Sequence, residues 1–222
     1  MSVALDRPWL RFDLGREMQV LSWAPHRSGL VTADRILWRE VRNSDLTPEL
    51  DVTAWLTARL EEVGDSNAVT FLTSRDVSAY EVAEAEVEGI RATAVATVGL
   101  SNAERVGHRM DYTGRDWGTI NVALRLSCGL TQAALIEALS IATQARTAAV
   151  IEAAMRLPTG RATGTGTDCI AVAAPAGAEA YCGLHTAAGE AAGRAVYDAV
   201  LTGTLQWLED WAIRIPGLAD PA

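Results

Sequence analysis

Three kinds of pattern predict an α+β fold, a mostly antiparallel or mixed β-sheet with packed helices in a single domain. Short runs alternate apolar and polar residues. Longer segments repeat apolar residues at helical spacing. Turn residues separate adjacent strand-like runs closely enough to make hairpins, which excludes a purely parallel sheet. The domain is read over residues 1–222, with a core of about 21–214 and a loose tail after Pro216.

The elements follow in order. Residues 8–40 carry Trp9, Phe12, Met18, Val20, Trp23, Leu30, Ile36 and Trp38 in short alternating bursts, with turn residues at Gly15 and from Pro25 to Gly29. These predict short antiparallel strands with the tryptophans in the core or on a sheet face. Thr47-Pro48 has the chemistry of a helix start, Thr47 as N-cap and Pro48 at the first helical position. The spacing Val52, Trp55, Leu56, Leu60, Val63 continues that helix to Gly64. Ala68 to Leu72 reads as a strand that delivers Thr73-Ser74-Arg75-Asp76 to a loop. Residues 81–88 and 90–98 form a hairpin about Gly89, with Glu84, Glu86 and Glu88 on its solvated face. Gly118 to Leu124 is a further strand. Leu130-Thr131 opens the longest helix, expected to reach about Leu157, with Ile136 among its apolar face. A buried strand at 169–174 and a last helix from about Thr186 to Trp211 complete the order.

Composition narrows the classes of function. The chain is 49% hydrophobic and 21% charged, enough for a full core. A net charge of −9 argues against nonspecific nucleic-acid binding, which relies on Lys and Arg contacts to phosphate. The three cysteines, Cys128, Cys169 and Cys182, have no CxxC spacing, so neither a zinc site nor a disulfide framework follows. The first residues lack an apolar signal-peptide region, and charges or glycines interrupt the apolar runs, so a cytoplasmic chain without a membrane span is expected.

The stretch Ala162-Thr163-Gly164-Thr165-Gly166-Thr167-Asp168, entering the strand at Cys169, stands out. Glycine allows close backbone approach, threonine supplies hydroxyls, and Asp168 brings a charge to the edge of the core, where it requires a partner. It is not a phosphate loop, because the Walker spacing and its lysine are missing. The other polar loops at strand ends are Thr73 to Asp76, Thr97 to Ala103 and Gly118 to Asn121, with His185 and Glu190 at the start of the last helix. Each of these also has an ordinary reading as a cap, a turn or a local ion pair. Together they carry the residue types of hydrolysis: a histidine and carboxylates to move protons, and Asn or Gly N–H groups to hold an oxyanion.

The runs Thr97 to Asn102, Gly118-Thr119-Ile120-Asn121, Ala162 to Asp168 and His185-Thr186-Ala187-Ala188-Gly189-Glu190 resemble the adenosylcobinamide amidohydrolase (CbiZ) family over roughly Leu21 to Val200. That resemblance implies hydrolysis of the amide joining a corrin side chain to aminopropanol, giving adenosylcobyric acid for corrinoid salvage into cobalamin. It implies a small-molecule corrinoid substrate and no separate cofactor. His185, Asp168 and Glu190 are then the expected catalytic residues, and Ser74, Asn102, Trp117, Thr119, Asn121, Thr165 and Thr167 the expected substrate-binding ones. No metal-ligand motif such as HExxH occurs, though His185, Asp168 and Glu190 would make a ligand set if they met. Direct attack by water and attack by a hydroxyl such as Thr167, Ser74 or Thr119 both remain open. No GxSxG elbow is present, and Cys169 reads as a buried thiol rather than a nucleophile. A non-catalytic corrinoid carrier and an amidohydrolase or acyltransferase on another amide are the competing readings. The oligomeric state is left open, a homo-oligomer included.

Overall fold

A computed structural model describes residues 1–42, 45–47, 49–112 and 117–214. The predicted Pro48 helix start and the tail after Pro216 lie outside them. The elements run β1 (Ser2–Asp6), β2 (Trp9–Ser22), β3 (Gly29–Glu40), α1 (Val52–Glu62), β4 (Val69–Thr73), β5 (Tyr80–Val87), β6 (Ile90–Val98), β7 (Ala103–Glu104), β8 (Ile120–Leu126), α2 (Gln132–Glu152), β9 (Arg156–Leu157), β10 (Gly160–Arg161), β11 (Gly164–Thr165), β12 (Cys169–Ala174) and α3 (Ala187–Arg214). The predicted α+β class is what forms.

The main sheet has the order β4-β3-β2-β12-β8-β6-β5, with β1 also paired to β2. It is mixed. β3 and β4 are parallel, as are β12 and β8, and the remaining pairs are antiparallel. Each parallel pair is joined through a helix, α1 or α2, as a parallel connection requires.

Four expectations are corrected. The short strands of residues 8–40 are two long ones, β2 and β3, because a β-bulge between Asp13 and Met18 absorbs Gly15 instead of ending the strand. Gly15 has φ +81°, and its N–H donates to Asp13 Oδ1 at 2.6 Å. Helix α1 starts at Val52, not at Thr47. Asp51 is its N-cap, accepting from the Ala54 N–H at 3.0 Å, so a carboxylate four residues on takes the capping part expected of Thr47. Helix α2 stops at Glu152, where Ala154 adopts φ +60°, and the stretch expected to continue it forms the β9–β10 hairpin. Ile136 on α2 is 61% exposed rather than core.

The sheet curls until its two halves face each other. β4 and β5 are its opposite edges, yet the short segment 74–79 joins them. Asn121 on β8 donates through Nδ2 to the Leu72 carbonyl on β4 at 2.7 Å, across three intervening strands in the sheet order. Flat, those strands would hold the two about 19 Å apart, at about 4.8 Å per strand. The bulge in β2 provides the bend, and Arg125 Nε closes it by donating to the Leu14 carbonyl at 3.0 Å. Inside the curl lies a core of Leu10, Phe12, Val20, Trp38, Phe71, Val95, Ala123 and Ala171. Trp38 and Phe71 meet edge to face, with centroids 5.1 Å apart.

Alternation on the strands serves both sides. On β8, Ala123 faces the inner core, while Ile120, Val122, Leu124 and Leu126 face α2 and α3. Alanines such as Ala134, Ala138, Ala142, Ala191, Ala192 and Ala195 bring these helices close to the sheet and to each other. α2 has the length and mean hydropathy, 1.2, of a membrane span, but its buried face is packed against β12 and α3. α1 covers the outer side of β3 and β4 through Leu56 and Leu60 against Trp9 and Leu37.

Replacing the buried Asn121 with Ala leaves the half-buried Leu72 carbonyl without its donor. The expected cost is about 1–3 kcal/mol of stability, read as a lower urea midpoint.

Candidate active site

Parallel pairing of β8 and β12 puts Asn121 opposite Cys169, so the start of each strand lies at one end of the sheet. The end of antiparallel β6 is there too, with Val98 opposite Ile120. The Asn121 bond to Leu72 brings the end of β4 to the same place. The loops 73–76, 99–102, 117–121 and 163–168 therefore converge, as the predicted constellation requires.

Asp168 holds them together. Its side chain is 6% exposed, and every lone-pair direction meets a donor. Oδ1 accepts from the Ile120 N–H at 3.0 Å and the Thr165 hydroxyl at 2.6 Å. Oδ2 accepts from the Thr165 N–H at 2.9 Å and from Arg146 Nη1 in an ion pair. Burial pushes the Asp168 carboxyl up, and the Arg146 guanidinium, Thr165 and the Ile120 N–H oppose that. Four donors around one carboxyl hold the ionised form. Glycine at 164 is required by this packing, since a Cβ there would collide with the Arg146 guanidinium and the Asp168 carboxylate.

The threonines extend the network. Thr167 Oγ1 donates to the Gly118 carbonyl at 2.7 Å, and Thr119 Oγ1 donates to the Thr167 carbonyl at 2.8 Å. Asn102, buried, accepts the Gly118 N–H at 2.9 Å through Oδ1 and directs Nδ2 to Thr167 Oγ1 at 3.4 Å. Gly118 packs directly on the neighbouring loop; a Cβ would stand 2.7 Å from the Gly99 carbonyl and the Ser101 nitrogen. The Ser74 hydroxyl donates to the Trp117 carbonyl, and the buried Arg75 beside it pairs with Asp210 of α3 at 2.8 Å.

Beside this network opens a cleft of about 220 Å³ lined by Asn102, Glu104, Met110, Asp111, Tyr112, Trp117 and Gly166. Its wall is a small sheet in which β7 pairs with β11, Glu104 opposite Gly164 and Ala103 opposite Thr165. The Tyr112 hydroxyl donates to the Ala103 carbonyl. Trp117 is 53% exposed on the rim.

The predicted site residues divide accordingly. Asp168, Asn102, Thr119, Thr165, Thr167, Ser74 and Trp117 come together, while Asn121 lies beneath them with its amide committed to the Leu72 carbonyl and the Thr119 hydroxyl. His185 and Glu190 are not brought to this end. They sit where α3 begins, next to Cys182, whose N–H donates to Glu137 in the first turns of α2. Gly203 of α3 is the part that packs against Val98 near the cleft. From Ala187 to Gly203 a helix advances about 24 Å, at about 1.5 Å per residue. Both side chains are exposed, and Glu190 pairs with Arg194. His185, Asp168 and Glu190 therefore do not form one catalytic set or one ligand set. Among the described residues, no group of three His, Cys, Asp or Glu is placed to hold a metal ion.

Arg146, Glu104 and Trp23 were missed. Arg146 is the one basic residue of α2, and largely buried against the sheet it has to find a counter-charge. Glu104 follows Asn102 by two positions, just beyond the run singled out. Trp23, expected in the core or on a sheet face, is 46% exposed just past the end of β2, and its indole N–H donates to the Asp168 carbonyl at 2.8 Å.

The sequence profile of CbiZ, adenosylcobinamide amidohydrolase, matches residues 2–212. The chain belongs to the CbiZ family. CbiZ membership makes adenosylcobinamide amidohydrolase activity the general expectation for this chain. No curated protein matches it. Among solved structures it is similar to the PH0078 protein from Pyrococcus horikoshii OT3, at 11% identity and a TM-score of 0.43, covering 88% of this chain and 76% of that one.

Two predictions follow from the buried groups of this site. Asp168→Asn leaves Arg146 buried without its counter-charge, and a loss of about 3–5 kcal/mol is expected; by calorimetry this is a fall in Tm of about 6–20 °C. Burial pushes the thiols of Cys169 and Cys182 up to about 12. At about pH 8 neither is expected to react with a thiol reagent in the native protein, and both to react in denaturant, as mass analysis of the labelled chain would show.

Proposed function

We propose that this protein hydrolyses the aminopropanol amide of adenosylcobinamide, releasing adenosylcobyric acid and aminopropanol for corrinoid salvage into cobalamin in the cytoplasm. The observation that carries the reading is CbiZ membership over residues 2–212, joined to a cleft that Asn102 and Gly166, from two of the runs that resemble the family, help to line.

The cleft suits one arm of the corrin rather than the whole ring. At about 220 Å³ it falls below the roughly 300–1,000 Å³ of pockets that enclose a drug-sized ligand. An amide arm enters, and the macrocycle rests on the rim, where exposed Trp117 offers an aromatic face. Asn102 supplies an N–H to the carbonyl oxygen on which negative charge develops. Asn121 is less suited to that part, because its amide is engaged with Leu72. Thr119 and Thr167 donate to backbone carbonyls, so water is the better nucleophile. No resident cofactor enters this reading.

Purified protein incubated with adenosylcobinamide, with and without a chelator, is expected to yield adenosylcobyric acid and aminopropanol in equal amounts by mass spectrometry, undiminished by the chelator. Unchanged cobinamide that co-elutes with the protein would overturn the enzyme reading and leave a carrier. Product lost only with chelator would require a metal.

A further inference from the structure

We propose that Glu104 is the catalytic proton-transfer residue of the cleft, a role that rests on the amide-hydrolase reading above. The argument is one of unfilled acceptor capacity. An ionised carboxylate offers about four lone-pair directions. On Asp168 all are met by donors from Ile120, Thr165 and Arg146, so no place is left for a reacting water. On Glu104, among the described residues, one N–H, that of Met110, is shared between the two carboxylate oxygens at 3.1 and 3.3 Å, and Glu104 and Met110 both line the cleft. It keeps capacity for a water on the side where a substrate arm would lie.

Position favours it as well. Glu104 is on β7, paired to the Asp168-anchored β11, and its carbonyl accepts the Thr163 N–H at 2.8 Å. Backbone held by this pairing gives the precision that proton transfer needs. Asp111, the other carboxylate of the cleft, is exposed on a segment outside any strand or helix. Asn102 stands two residues before Glu104, so one short stretch of chain presents both the oxyanion donor and the base.

The step balances around one water. Glu104 takes a proton from the water as its oxygen bonds to the amide carbon, and the carbonyl electron pair moves to the oxygen facing Asn102. The tetrahedral adduct collapses, the C–N bond breaks, and Glu104 returns its proton to the departing nitrogen. A carboxylic acid and an amine leave, and the carboxylate is restored.

Glu104→Gln keeps an acceptor for the Met110 N–H but cannot take a proton. With adenosylcobinamide it is expected to lower kcat by about 100-fold or more, with KM little changed. Added formate or azide is expected to restore part of the rate of Glu104→Ala and to leave the wild type unaffected. The wild-type profile of kcat/KM against pH is a reading that needs no variant, and an acid limb of one-proton slope is expected. Glu104→Gln turning over within threefold of wild type, absence of rescue in a folded Glu104→Ala, or a flat acid side would each overturn the assignment while wild-type product still upheld the function. Wild-type protein that releases no aminopropanol would overturn the function and Glu104's part in it together.

Discussion

The buried ion pair between Asp168 and Arg146 is the constraint on which the cleft depends. A carboxylate at 6% exposure is tolerable only with its lone pairs filled and its charge opposed. Meeting that demand draws in the Thr165 backbone and hydroxyl, the Ile120 N–H at the start of β8, and the long side chain of α2. Three separated stretches of chain are thereby tied at one point. The loop 163–168 then presents Gly164 to the guanidinium and Gly166 to the cleft, and β7 gains a partner strand.

A second constraint acts beneath it. The curl of the sheet brings the end of β4 to the start of β8, and the Asn121–Leu72 bond joins two strands that a flat sheet would keep apart. The bend originates at Gly15, where the bulge in β2 releases the strand from straight pairing. Without the curl, Ser74 would not reach Trp117, and the rim of the cleft would lose that support. Inner core and cleft therefore share an origin in the twist of one sheet.

Polar residues at this end divide by the state of their hydrogen bonds. Asp168, Asn121, Thr119 and Thr167 are engaged within the protein and shape the site. Glu104 and Trp117 line the cleft and keep capacity for a ligand, and Asn102 does both, holding Gly118 through Oδ1 while its amide nitrogen retains a second N–H. This division explains why a chemically rich loop can be mainly scaffold while a less conspicuous neighbour bears the chemistry.

Much of this was legible in the sequence. Alternation marked the β5–β6 hairpin, apolar spacing marked all three helices, and the Thr/Gly run ending in Asp168 marked the loop at the centre of the site, since period and turn chemistry are local properties. Helix ends were less legible, because an αL residue at Ala154 and a cap at Asp51 compete with equally good signals nearby. His185 and Glu190 show the larger limit. Their types suit hydrolysis, yet one sequence does not say at which end of a sheet a helix begins. The direction of α3 on the sheet, the curl that joins β4 to β8, and the guanidinium that Asp168 finds on α2 arise from packing between distant segments. Local sequence determined the elements and the chemistry each carries; only the tertiary structure decided which of those groups meet, because a buried charge and a curved sheet are satisfied by partners far along the chain.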